Sequence, residues 1–232
     1  MVTKGIKEML AKHKIHGFII PNGADLETFK PAKEPNLKNA EVLSVVFSGT
    51  ISEYYDLSQL ILALKILNNN GFKIELFLVG TIKKAIEEYI RRVNAEKYVK
   101  YLGFYSPRDL ALKVFPKCDI GVIPRTNDPI LDYAIPAKFY EYIACGLPVL
   151  AICRKESGLA KIILNYGVGW VCEYGDMGCV LQVLKEVYLN RSLIEEKRKR
   201  ALTLRRYIDR NMHAQIFVKL MNFLIYTKKQ KK

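Results

Sequence analysis

Six apolar residues in a row, Leu147-Pro148-Val149-Leu150-Ala151-Ile152, constrain this chain more than any other feature. A strand with one face in water alternates apolar and polar residues. A run that does not alternate suits a strand covered on both faces, as in the parallel sheets of α/β folds. The residues before it agree. In the stretch Asp132 to Cys153, Pro136 suits the first helical position, where its missing N–H costs nothing. Phe139, Tyr140, Ile143 and Ala144 form an apolar face at helical spacing. Gly146 can take the left-handed conformation that ends a helix. The stretch therefore reads as loop, short helix, tight turn and buried strand. Lys138 and Glu141 lie three residues apart on another face of that helix. A helix N-terminus aimed at a crevice beside a sheet can hold phosphate, and a carboxylate one turn inside could bind sugar hydroxyls. On this stretch alone an ordinary surface ion pair is the simpler reading.

The same grammar runs through the chain. Strands are expected at Val42–Ser48, Lys73–Val79, Val99–Leu102, Cys118–Ile123, Leu147–Ile152 and Val168–Cys172. Helices are expected at Asp56–Leu67, Ile82–Asn94, Pro107–Phe115, Pro136–Ala144, Ser157–Asn165, Asp176–Leu189 and Ser192–Arg206. Strands alternating with helices imply an α/β fold with a Rossmann-like, doubly wound parallel sheet of about six strands. Ligands of such sheets sit outside the carboxyl ends of the strands, where the strand order reverses. That rule gathers Gly49-Thr50, Gly80, Gly103-Phe104-Tyr105, Pro124-Arg125 and Ala134 to Glu141 around one crevice. Each glycine alone is explained by its turn; their joint placement carries the inference. No G-x-G-x-x-G follows a strand and no G-x-x-x-x-G-K-[ST] exists, which argues against a nicotinamide or flavin cofactor and against a P-loop.

At the start, Lys4–His13 reads as a short amphipathic helix and His16–Ile20 as a brief strand. Ile20-Pro21-Asn22-Gly23 has turn chemistry, with Asn-Gly supplying positive φ. Asp25 can cap a helical turn through Phe29, which Pro31 stops. Pro31–Glu41 is polar and reads as a linker. At the end, Asp209–Tyr226 reads as a final amphipathic helix and Lys228–Lys232 as a basic tail.

Two strings carry a family resemblance. The first is P-x-K-x-x-E-Y-x-A-x-G-x-P-V, standing here as Pro136, Lys138, Glu141, Tyr142, Ala144, Gly146, Pro148 and Val149. The second is I-P-N-G-x-D-x-x-x-F, from Ile20 to Phe29. Together they resemble the donor-binding half of retaining, two-Rossmann-domain (GT-B) glycosyltransferases of the large group 1 family. The resemblance covers nearly the whole chain and implies its division. Residues 1–35 would be an interdomain hinge and N-terminal extension, 36–206 the Rossmann-like domain that binds a nucleotide sugar, and 207–232 a crossover helix and basic tail. The chain then seats a nucleotide-diphosphate sugar, UDP- or GDP-linked, as substrate, with no cofactor and no metal. The acceptor-binding N-terminal Rossmann domain is the part missing from this chain, and the chain alone is expected to have little or no activity. By position, Glu141 would bind the ribose hydroxyls, Pro136 and Ala137 the diphosphate, and Gly103, Phe104 and Tyr105 would lie beside the base. The crevice also takes in Gly49 and Thr50. Two departures stand out. The family's other glutamate, eight positions before Glu141, is Tyr133 here, with Asp132 beside it. The family's Arg after the first-strand glycine is Thr50 here, and Asp56 stands near its usual Lys. Lys138 or Arg125 is left to supply the positive charge, and the catalytic residues stay unassigned.

The net charge of +14 suits an anionic partner, whether nucleotide diphosphate, anionic membrane surface or nucleic acid, and equally a solvated Lys-rich surface. Two rival readings follow. A nucleotide-sugar epimerase of the same architecture needs further acid/base groups in the crevice, and only Glu141 is placed there. A non-catalytic basic module would use Lys197–Arg200, Arg205, Arg206, Arg210 and the tail, but aromatics are not interleaved with that run, which argues against nucleic acid. The five cysteines, Cys118, Cys145, Cys153, Cys172 and Cys179, show no C-x-x-C spacing. They are expected as buried reduced thiols. His13, His16 and His213 make no ligand pattern and are expected at the surface. Met1-Val2-Thr3-Lys4 leads into a polar helix, not a signal peptide, and no apolar run approaches the roughly 20 residues of a membrane span. A cytoplasmic protein, peripheral to the inner face of the membrane at most, is the expectation.

Overall fold

The computed structural model describes residues 3–31 and 41–230, with side chains through Tyr226. The expected linker at Pro31–Glu41, the boundary at residue 35 and the last two residues of the tail lie wholly or mostly outside them.

Six strands make one sheet: β1 Leu43–Ser48, β2 Ile74–Val79, β3 Val99–Gly103, β4 Ile120–Pro124, β5 Val149–Ile152 and β6 Gly169–Cys172. All neighbours are parallel, and the order is β3-β2-β1-β4-β5-β6. The order reverses between β1 and β4, so the crevice opens beyond Ser48 and Pro124. Every residue of β4 and β5 is buried, which is why neither strand alternates.

Helices cover both faces: α1 Lys4–Ala11, α2 Ser58–Asn69, α3 Lys84–Arg92, α4 Pro107–Asp109, α5 Ala137–Ala144, α6 Gly158–Tyr166, α7 Met177–Leu189, α8 Ser192–Arg205 and α9 Arg210–Gln230. On one face Val46, Ile123, Val149 and Ala151 pack with Phe115, Phe139, Ile143, Leu159, Ile163 and Ala201. On the other, Val45, Phe47, Leu76, Leu78, Val122 and Leu150 pack with Leu60, Ile61, Leu64, Val180, Leu184 and Val187. The two cores make the sheet doubly wound, as the sequence implied.

Several local expectations are corrected. Residues 16–20 form no strand, and Phe18 and Ile19 stay exposed. Gly23 does not take positive φ. It is required because the hinge lies against the start of α9: a Cβ there would collide with the Ile208 carbonyl and sit 2.9 Å from the Arg210 nitrogen. Ala24 and Asp209 form a parallel bridge at this point. The expected helix at Pro107–Phe115 is α-helical for one turn only, then passes through a π turn at Leu110–Val114 into a 3₁₀ turn at Phe115–Lys117. Pro116 has no N–H to continue an α ladder. Pro136 is the N-cap of α5, one residue before its expected place. His213 is buried at 7% exposure between α9 and the hinge. Cys172 and Cys179 form a disulfide, because the end of β6 and the first turn of α7 bring their Cα atoms to 5.6 Å. Only Cys118, Cys145 and Cys153 are the expected buried thiols.

Candidate donor site

The site is built where β1, β4 and α5 meet. Beyond β1 the chain turns at Gly49, whose φ of +109° a side chain would strain. The following loop folds over the end of β4. Tyr55 bridges Arg125, Asp56 N–H donates to the Pro124 carbonyl at 3.1 Å, and Thr126 N–H donates to the Tyr54 carbonyl at 3.2 Å. Asp56, near the position where the family has a basic residue, is occupied with structure. Its carboxylate accepts from Ser58 N–H at 2.9 Å and from the Tyr174 hydroxyl at 2.9 Å.

α5 is buried almost all round. Tyr142, one of the motif positions, passes its hydroxyl through the core to β1. There it accepts from Ser48 N–H at 2.9 Å and lies 3.1 Å from the Ser48 hydroxyl. This bond locks the register of α5 against the crevice edge. Pro136 supplies no side-chain cap, so the first-turn N–H groups of Ala137 and Lys138 are open to a ligand.

Lys138 is the unusual residue. Its side chain is 7% exposed. Its Nζ is fully buried and has no hydrogen-bond partner. The ammonium lies 3.7 Å from the centroids of both Phe47 and Tyr55, and a Cβ on Gly49 would stand 3.5 Å from it. Burial drives its pKa down to about 7, with Glu141 opposing and Arg125 assisting. Lys138 and Glu141 make no ion pair among the described residues, so the surface-pair reading fails.

Glu141 is half-buried and accepts no hydrogen bond from the described residues. Burial raises its pKa, while Arg210 and Lys138 pull it back. An unengaged carboxylate at the crevice is free to accept ligand hydroxyls.

Arg125 is 4% exposed. Its Nη1 donates to the carbonyls of Leu131 and, at 2.9 Å, Ala134. It braces the loop that delivers α5, a role its place after a strand did not reveal. Asp132 accepts from Arg154 Nε at 3.0 Å, and Tyr133 gives its carbonyl to the Thr3 hydroxyl at 2.6 Å. At the end of β3 Gly103 turns with φ +76°, Phe104 is 81% exposed and Tyr105 half-buried. Thr50 is exposed beside Gly49. A cavity of about 450 Å³ lies between Pro21 of the hinge and His213 of α9, with Arg210 also in its lining. No group of metal-ligating side chains occurs among the described residues. No helix among them is long and apolar enough to cross a membrane.

The family described as "Glycosyl transferases group 1" matches residues 28–203. The chain belongs to this group 1 glycosyltransferase family. Among its curated relatives, "Probable glycosyltransferase WbjE" of Pseudomonas aeruginosa is 22% identical over 194 residues, which is 78% of this chain and 47% of that protein. The chain thus spans about half the length of that relative. Among solved structures, sucrose-phosphate synthase of Thermosynechococcus elongatus superposes with TM-score 0.76 at 18% identity, over 98% of this chain and 58% of that one. Anabaena Alr3699/HepE, solved with UDP, gives 0.65 at 19% identity, over 88% and 57%. The group 1 fold is therefore present with the open crevice of one Rossmann-like unit.

The rival readings find no support. The basic run of α8 is used in part by the fold itself. Arg205 donates to the Ala144 and Leu26 carbonyls at 3.0 and 2.7 Å, Arg200 pairs with Glu196, and Arg198 is buried. An epimerase would need a second acid or base beside Glu141, and Asp132 has one carboxylate oxygen bound to Arg154 and the other buried.

Proposed function

We propose that this chain is the part of a group 1 glycosyltransferase that binds a nucleotide-diphosphate sugar. Glu141 takes the ribose hydroxyls. Lys138 and the open N–H groups at Ala137, behind the Pro136 cap, take the diphosphate against Gly49 and Thr50. The segment Gly103-Phe104-Tyr105 lies beside the base. Arg125 serves by bracing the loop before α5. The observation that carries this reading is the buried, unpartnered amine of Lys138 at the first turn of a helix that starts at the switch point. A cation kept out of water without an anion is costly, and a diphosphate at that helix end supplies the anion.

In transfer, the bond between the anomeric carbon and the diphosphate oxygen breaks as the acceptor oxygen attaches to that carbon, and the acceptor hydroxyl's proton passes to the departing diphosphate oxygen. Negative charge grows on the departing diphosphate. The Lys138 ammonium and the α5 dipole stabilise that charge more than the ground state. The acceptor is held by a further Rossmann domain.

UDP, found with Alr3699/HepE, is the first nucleotide to titrate, with GDP and ADP beside it, each with and without a sugar. A charged hydrogen bond contributes about 1.5–3 kcal/mol. Glu141→Ala should therefore weaken the preferred nucleotide about tenfold or more while the protein stays folded. Absence of binding by all three nucleotides, or equal affinity in the folded variant, overturns the reading.

A further inference from the structure

We propose that Tyr55 gates the donor site: its ring covers Lys138 in the empty chain and must swing aside before a diphosphate can reach the amine. The inference rests on Lys138 being the diphosphate contact, and adds what controls access to it.

The Lys138 amine has no surface of its own to offer a ligand, so something must move before an anion touches it. Three groups lie against it. Phe47 is wholly buried in β1 and belongs to the core. Gly49 is backbone, held by its N–H on the Val79 carbonyl at 2.8 Å and crowded by Gly80. Tyr55 is half-buried and stands on the loop between β1 and α2. Its ring meets Phe47 edge to face, centroids 5.3 Å apart, and Nζ sits in the corner between them.

The backbone around Tyr55 is pinned. Tyr55 N–H donates to the Ser52 carbonyl at 3.2 Å, and the loop is bridged to Pro124–Thr126 on either side. The Tyr55 hydroxyl has no hydrogen bond to any described residue. The movable part is therefore the side chain, by rotation about its own torsions and without opening the loop. Burial raises the Tyr55 phenol pKa, Arg125 opposes this, and Glu141 adds to it.

The exchange has a selectivity built in. The covered ammonium already enjoys two aromatic faces. A weak or neutral ligand gains too little to displace one of them. A doubly charged phosphate makes charge-assisted hydrogen bonds and does. Tyr55 thereby favours the diphosphate of a nucleotide sugar over a bare nucleoside.

The test has one arm without any nucleotide. The full chain is pulsed with trinitrobenzenesulfonate at pH 8, and modification at Lys138 is read by peptide mass spectrometry. Lys138 should be protected in the wild type and in Tyr55→Phe, and modified about tenfold faster in Tyr55→Ala. Equal rates in wild type and Tyr55→Ala overturn the gate even where UDP binds, so this failure is distinct from failure of the donor-site reading. The second arm titrates pyrophosphate and UDP. Tyr55→Ala should bind pyrophosphate about tenfold tighter than the wild type, and Tyr55→Phe should match the wild type. If Lys138 is uncovered but both affinities stay within about twofold, the ring guards no phosphate site and the proposal falls. Tyr55→Leu, bulky but without an aromatic face, repeats both arms should the alanine variant not fold.

Discussion

Lys138 and Glu141 stand one turn apart on α5 and do not pair. The amine turns inward to Phe47 and Tyr55, 3.7 Å from each ring centroid, while the carboxylate stays at the crevice under the influence of Arg210. Each is left with its charge to give to a ligand, and the charges are opposite.

The amine makes binding sensitive to protons. Burial holds the Lys138 pKa near 7 in the empty chain. A bound diphosphate favours the charged form and raises it again. At pH 8 the complex therefore holds more protons than the free chain. Calorimetric titration with UDP at pH 8, in buffers of different ionisation enthalpy, should show uptake approaching about one proton per UDP. Lys138→Met should abolish the uptake and bring UDP affinity down toward that of uridine. Uptake that persists in the variant assigns the proton elsewhere.

How much of this was legible in the sequence follows from what each residue does. The inner strands were legible because Val149–Ile152 and Ile120–Pro124 are buried on both faces and show it in their composition. The mostly exposed edge strand Val99–Gly103 was legible only through its place in the alternation of strands and helices. The helix carrying Lys138 and Glu141 was legible through Gly146, whose φ of +76° ends it. The burial of Lys138 was not. A lysine in a first turn looks like surface, and only the fold of the loop after Gly49 brings Tyr55 over it. Arg125 was placed correctly at the edge of the sheet, but its partners are carbonyls of Leu131 and Ala134, and backbone carbonyls leave no mark in a sequence. The Cys172–Cys179 bond was hidden for a similar reason, since its spacing of seven depends on how β6 hands over to α7.

Arg125 gives a second prediction. Removing its guanidinium strips the Ala134 carbonyl of its donor and leaves the Leu131 carbonyl with the Ala134 N–H alone. A buried group left unsatisfied costs about 1–3 kcal/mol. Arg125→Met should lower the unfolding free energy by about that amount in urea titration, and Arg125→Lys, whose ammonium keeps three donors, should restore part of it, because both bonds come from the one nitrogen Nη1. The preference for UDP over uridine should survive in both. Its loss in a stable Arg125→Met would make Arg125 the phosphate charge in place of Lys138.

The purified 232-residue chain should not turn over. Transfer needs an acceptor fixed against the anomeric carbon and water kept out. The crevice described here has one wall. Product formed from a labelled nucleotide sugar should stay below one equivalent per chain, with or without candidate acceptors. Sustained turnover by the chain without another polypeptide would show that its own residues complete the cleft.

Stability should depend on pH through Lys138, in a direction that its burial sets. Its pKa is lowered from 10.5 to about 7 on folding. Below pH 7 both folded and unfolded chains carry the proton, and the folded state bears the full cost of a buried ammonium. Between pH 7 and 10.5 the unfolded chain still holds a proton that the folded chain has released. The unfolded state then binds more protons, so unfolding free energy rises with pH across that window. Each pH unit adds at most about 1.4 kcal/mol. Other groups titrate there too, among them Tyr55 and Cys153, whose pKa values burial raises. The comparison with Lys138→Met cancels terms common to both proteins. Urea unfolding at pH 6.5, 7.5, 8.5 and 9.5 should show the wild type gaining on the variant at each step above 7. A difference that stays constant with pH would mean that the amine keeps its proton in the folded chain, held by the two rings alone.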